Sequence, residues 1–160
     1  MDSNLANQFI VAATTIFHKV GGVNLKKTGL EYFPKGTKIS AGIATILGIT
    51  GAYKGQFIIV LNEEMALKIA TAILMGVPVT EYNELAESAV SEIGNMIGGE
   101  ASRLLQEKGF VCDLSVPSIA RGKEMEIAFY PASPLFSIRF ESEWGEIKLI
   151  LRFEEKRSNS

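Results

Sequence analysis

From residue 146 to residue 153 the chain alternates, with Ile147, Leu149, Leu151 and Phe153 apolar and Glu146, Lys148 and Arg152 polar between them. Successive side chains of a strand point to opposite faces. The pattern therefore specifies a half-buried strand of an antiparallel sheet, with one face on a core and the other toward water. Such a sheet needs a second layer over its apolar face. Helical spacing at the other end of the chain offers one. Leu5, Phe9, Ala12, Ala13, Ile16, Phe17 and Val20 recur with that period after the candidate caps Asp2 and Ser3, and Gly21-Gly22 is a stop signal.

A polar, turn-rich stretch then runs through Pro34-Lys35-Gly36, in which Lys26 and Lys27 read as a solvated turn. Over residues 39–49 the apolar positions alternate with the small residues Ser40, Gly42, Ala44 and Gly48, a strand whose second face allows close approach. Residues 57–61 read as the buried return strand of a hairpin. Asn62 is positioned to cap a short helix over 63–75, ended by Gly76, and Thr80 to begin the longest helix, 83–108, before Gly109. The remainder of the chain is strand-like: 110–116, a loop around Pro117, then 123–130, 136–141 and 146–153. The expected fold is α+β, with helices, one of them long and motif-bearing, on a mainly antiparallel sheet. One domain is expected over 1–155, with 156–160 a frayed tail. Segments 53–60 and 144–151 each place an aromatic residue and a glycine just before a strand, which an internal repeat and coincidence explain equally well.

At 160 residues with 47% hydrophobic content the chain can bury a core without disulfides or metals. Its net charge of −2, with acidic and basic residues interspersed, leaves no electrostatic footprint for nucleic acid or an anionic membrane. No basic signal region opens the sequence, and the uncharged stretch 39–53 is too short and glycine-interrupted to span a bilayer, so a cytoplasmic protein without membrane insertion is expected. Cys112 is the only cysteine and His18 the only histidine. An intramolecular disulfide and a multi-thiolate site are thereby excluded, and neither a histidine-containing triad nor a multi-histidine metal centre is easily assembled. No metal or cofactor is expected on this chain.

The longest helix carries Ser88-Ala89-Val90-Ser91-Glu92-Ile93-Gly94-Asn95-Met96-Ile97-Gly98-Gly99. At helical periodicity Ala86, Val90, Ile93, Ile97, Ala101 and Leu104 fall within an arc of roughly 80° that must face the core. Ser88, Glu92 and Asn95 fall within about 60° of one another on the opposite side, with Gly99 among them. A polar outward face is what any helix on a sheet presents. Asparagine and glycine, however, are poor helix-interior residues, and a merely solvated face gains nothing from Asn95, Gly98 and Gly99. Gly99 leaves the surface flat where a partner's backbone can approach, whereas Gly94 and Gly98, beside the core stripe, suit close packing.

Ser88, Glu92 and Asn95 reproduce in order and spacing the motif of the CheX and CheC chemotaxis phosphatases, which the chain resembles: Asp or Ser, three residues, Glu, two residues, Asn. Pro117 stands near the proline that the family carries some two dozen residues later. Beyond the motif the resemblance extends to element order and to the Val116–Gly122 loop. CheC-like and FliY-like members carry two copies of the motif and CheX-like members one. No second copy occurs here: Asn4 and Asn7 lack the glutamate, and Glu63 and Glu64 lead to Ala66 and Leu67. The resemblance therefore points to the CheX branch and implies a homodimer.

It further implies a phosphatase acting on the aspartyl phosphate of a CheY-like response-regulator receiver domain, whose own active site holds the Mg2+. In that reading Asn95 orients the attacking water, Glu92 pairs with a lysine of the receiver, and Ser88 and Gly99 are partner contacts. A different class of function is a non-catalytic module that binds a receiver or a flagellar switch component. Elsewhere the chemistry is thin. Glu63 and Glu64 suit a helix N-terminus, and neither glycine pair has the setting of a phosphate-binding loop.

Overall fold

The computed structural model describes residues 3–130 and 132–153. In chain order its elements are helix α1 (Ser3–Gly21), strands β1 (Lys26–Phe33), β2 (Ile39–Gly51) and β3 (Gly55–Leu61), helices α2 (Glu63–Ile73) and α3 (Glu84–Glu107), and strands β4 (Cys112–Leu114), β5 (Ser118–Ile127), β6 (Leu135–Ser142) and β7 (Gly145–Phe153). Among the described residues the strands form one sheet in the order β1-β6-β7-β3-β2-β4, with β5 also paired to β2. Every pairing is antiparallel. The α+β layering expected from the alternation is what is found.

Alternate residues of the central strands face the helices: Phe57, Ile59 and Leu61 of β3, and Ile147, Leu149, Leu151 and Phe153 of β7. Helix α1 is fixed to them by its own apolar stripe, with the Phe9 ring 5.0 Å from that of Phe57. The end of α1 is pinned by Trp144, which meets Phe17 edge-on at 6.5 Å. That indole lies so close to Gly21 that a side chain there would collide with it. Helix α2 begins as its sequence indicates, Asn62 Oδ1 accepting from Met65 N at 2.8 Å.

Several expectations need correction. Residues 26–33, read as part of a turn-rich stretch, form β1, so Lys26 and Lys27 lie in a strand. Its residues are exposed almost throughout, so no apolar alternation marks it. What makes it a strand is backbone pairing along β6 at the sheet edge. The segment 110–116 contributes only Cys112–Leu114 to the ladder, and 118–122, read as loop, open β5. Thr80 does not begin α3; Asn83 does, its Oδ1 accepting from Ala86 N at 3.1 Å. The candidate cap Asp2 and the tail 156–160 lie outside the described residues.

The second face of the sheet is also less open than the alternation suggests. Ile39, Ala41, Ala44, Ile58, Val60, Leu135 and Ile150 form a smaller cluster there, with Phe33, Ile46 and Phe129 at its margin. Ala41 and Ala44 share this face although three residues apart, because the pairing of β2 with β5 shifts register around Gly42. Arg152, expected toward water, is 6% exposed: its guanidinium lies 5.0 Å from the Phe129 ring centroid and donates to Gln56 Oε1 at 3.3 Å.

The layering predicts a sharp contrast along α1. Phe9→Ala removes a fully buried ring from the helix–sheet contact and should cost about 3–5 kcal/mol. Val11→Ala, at a position 47% exposed, should stay within about 0.5 kcal/mol of the parent. Urea unfolding midpoints of the two variants check this.

Candidate functional site

Helix α3 is defined at both ends by its own sequence. Asn83 caps the first turn, where Glu84 and Glu87 also oppose the helix dipole. At the other end Gly109 adopts φ +90°, and Phe110 N and Gly109 N donate to the carbonyls of Leu105 and Gln106, both at 2.9 Å. This is the Schellman arrangement, which a side-chain-bearing residue at Gly109 would strain.

The inward face follows the expected arc through Ala86, Val90, Ile93, Ile97 and Ala101, all buried. Its end is rotated slightly, so that Leu105 rather than Leu104 is the buried residue of the last turn. Three small residues spaced one turn apart meet the sheet. At Gly94 a Cβ would fall 2.8 Å from Thr45 Cγ2, and at Gly98 3.0 Å from Leu114 Cδ1. Ser102 Oγ donates to the carbonyl of Cys112 at 2.7 Å. Gly94 and Gly98 are thus the close-packing glycines that their place beside the core stripe suggests.

On the opposite face Ser88, Glu92, Asn95 and Gly99 are all exposed, and a Cβ at Gly99 would meet nothing within 4 Å. The structure therefore brings all four sequence-identified residues onto one outward stripe of one rigid helix. Glu92 has no ion-pair partner among the described residues. Arg103, the nearest cation along the helix in sequence, is engaged by Glu100 and Glu107, each at 2.6 Å. Its hydrogen bond holds the Glu100 carboxyl below the usual carboxylate range.

The stripe is flanked by a cleft of about 330 Å³ lined by Glu84, Glu87, Ser88, Ser91, Pro117 and Ile119. Ser91 and Ile119 escaped sequence reasoning, since only the folding of β5 against β2 brings residue 119 beside the helix. Pro117 is placed next to Gly94, and thus at the motif. A larger cavity of about 610 Å³, with Asn62, Lys123 and Lys148 in its walls, contains none of the motif residues. Among the described residues no three histidine, cysteine or acidic side chains gather as a metal site, and no helix is long and apolar enough to cross a membrane. What the stripe offers chemically is one carboxamide, one unpaired carboxylate and one hydroxyl, presented together to a docking surface.

Comparison with known proteins bears directly on this stripe. Residues 43–141, more than half of the chain, match the family model of the chemotaxis phosphatase CheX. The CheY-P phosphatase CheX of Thermotoga maritima is 31% identical over 127 residues, covering 79% of this chain and 81% of that protein. Among solved structures, the chemotaxis protein CheX of Vibrio vulnificus superposes with a TM-score of 0.83 at 27% identity, over 94% of this chain and 99% of that one. A CheX–CheY–BeF3–Mg complex from Borrelia burgdorferi shares the fold, with a TM-score of 0.73 at 21% identity over 94% and 97% of the respective chains. With its motif on the exposed side of α3 and this match over most of its length, the chain belongs to the CheX family of chemotaxis phosphatases.

Proposed function

We propose that this chain hydrolyses the aspartyl phosphate of a CheY-like receiver domain, with Asn95 orienting the attacking water and Glu92 fixing the docked partner. The observation that carries the reading is the joint exposure of Ser88, Glu92 and Asn95 on one face of a helix whose other face is locked in the core. Two relatives support the choice of substrate: the Thermotoga protein bears the name CheY-P phosphatase, and the Borrelia relative forms a complex with CheY.

In hydrolysis a water oxygen bonds to phosphorus, the bond from phosphorus to the aspartyl oxygen breaks, and inorganic phosphate and a free aspartate carboxylate result. The electrophile and the Mg2+ that offsets its charge belong to the receiver. This chain need only place the water, since phosphoryl transfer is helped chiefly by positioning and charge stabilisation. The Asn95 carboxamide offers one acceptor oxygen and two N–H donors, enough to hold a water in line, but it has no proton to take up near neutral pH. Its contribution is geometric. Glu92, with no ion-pair partner among the described residues, is free to pair with a lysine beside the phosphoaspartate, and that bond strengthens as docking expels water. Ser88 and the flat surface at Gly99 complete the contact.

Mutation separates the two roles. With the receiver domains of the source organism phosphorylated by acetyl phosphate, Asn95→Ala should return phosphate loss to the receiver's spontaneous rate while docking persists. Glu92→Ala should raise KM about tenfold or more and leave kcat within about threefold. Phosphate release under excess phospho-receiver is the measurement. An Asn95→Ala protein as fast as the parent ends the proposed mechanism, and a parent that never exceeds one turnover is a binding module rather than a phosphatase. The same proposal includes a homodimer, since each chain carries one motif. Light scattering after gel filtration should give twice the chain mass.

A further inference from the structure

Two glycine contacts of α3 with the sheet, at Gly98 and Gly94, differ in how much they can yield. At Gly98 the facing atoms are the methyl ends of Leu114, at 3.0 Å from a Cβ there, and of Leu47, at 3.3 Å. Both are flexible tips able to swing aside. At Gly94 the nearest atom is Thr45 Cγ2, 2.8 Å from such a Cβ, with Leu47 Cδ1 at 3.5 Å and Pro117 Cγ at 3.8 Å. Thr45 is fully buried in β2, in register with Ile59 of β3 on one side and Ile119 of β5 on the other. Its side chain branches at Cβ, so little rotamer freedom remains for it to retreat.

Pro117 is no more mobile at its base. Ser115, two residues before it, donates from its N–H to the Gly48 carbonyl at 2.9 Å and accepts from Gly48 N at its Oγ at 2.8 Å. The connection from β4 to β5 is thereby tied to the same strand that carries Thr45. Strand and loop together form two rigid walls under one residue of α3, and Asn95 is the next residue along.

We infer that Gly94, Thr45 and Pro117 form a seat that sets how far Asn95 projects toward a docked receiver, making Gly94 and Thr45 positioning residues for the hydrolytic step. This rests on the reading of Asn95 as the group that orients water. A carboxamide holds a water only within hydrogen-bond reach, and a misplacement on the order of 1 Å can cost roughly a hundredfold in rate. Gly94, on the underside of α3, and Thr45 beneath it are both buried and so act through Asn95, without touching the partner.

The test is a size exchange. Gly94→Ala favours the helix by propensity, yet it should lift α3 off Thr45 and lower kcat about tenfold or more. Affinity for a beryllofluoride-loaded receiver, measured by calorimetry, should stay within about twofold, because Glu92 and Ser88 remain exposed. Adding Thr45→Ser removes the obstructing methyl, keeps the hydroxyl and should restore kcat to within about threefold of the parent. Thr45→Ala, with Gly94 intact, loosens the seat and should lower kcat at least about threefold; it replaces Gly94→Ala in the argument if that variant does not fold.

A folded Gly94→Ala protein with parental kcat overturns the inference, as does a folded double variant that regains nothing. Parental kcat in Thr45→Ala overturns it where Gly94→Ala is unfolded. If Asn95→Ala itself keeps parental activity, the underlying reading fails. If Asn95→Ala is inactive while Gly94→Ala is fully active, only the seat is wrong.

Discussion

The packing of α3 on β2 is the contact on which the rest of this molecule depends. A helix can approach a sheet closely only where its inward residues are small, and here Gly94, Gly98 and Ser102 stand one turn apart on the line of contact. The approach brings Thr45 and Leu47 against the helix backbone and leaves Ile93, Ile97 and Ala101 to pack in the common core with α1 and α2. Interiors this dense transmit displacement rather than absorb it. The position of the outward stripe is therefore a property of the whole helical layer, not of α3 alone.

The sheet beneath is organised around the pairing of β3 with β7, whose registers run from Gly55 opposite Phe153 to Val60 opposite Lys148. Each is the return strand of a hairpin, β2–β3 and β6–β7, so the two hairpins flank a local twofold between them. The aromatic residue preceding each return has a matching use. Trp144 packs on Phe17 at the end of α1, and Tyr53 packs on Phe110, just past the end of α3, at 5.2 Å and on Phe153 at 5.9 Å. Both close the gap between a helix C-terminus and the hairpin that supports it. Convergence on one packing problem and an ancient duplication would both leave this trace in the sequence.

What sequence reasoning captured was what local chemistry decides. The periodicity of α1 and α3, the Asn62 cap, the stop at Gly109 and the outward stripe of Ser88, Glu92, Asn95 and Gly99 each depend on spacing within one element. What it missed depends on a neighbour. Strand β1 is paired by β6 without apolar alternation of its own. Residues 118–122 carry loop-like composition but are drawn into the ladder by β2. Arg152 reads as a water-facing cation until Phe129 and Gln56 are placed against it. Thr45 is the sharpest case: in sequence it is one threonine among apolar residues, and only the approach of Gly94 suggests the role proposed for it.

That role connects the packing to the proposed chemistry. A general acid or base is tuned by its surroundings, through burial or a neighbouring charge, and tolerates some displacement if its pKa remains suitable. A carboxamide has no protonation state to tune near neutral pH. For a site built on Asn95 the fold controls one variable, the position of the side chain relative to the docked phosphoryl group. Glycine at position 94 makes physical sense on those terms: it weakens the helix locally, but no residue with a Cβ lets α3 rest on Thr45 and Pro117 at this depth. On the proposed mechanism the helix gives up intrinsic stability where its height above the sheet must be fixed, and it recovers that stability from the cap at Asn83, the Schellman turn at Gly109 and the packing of its buried face.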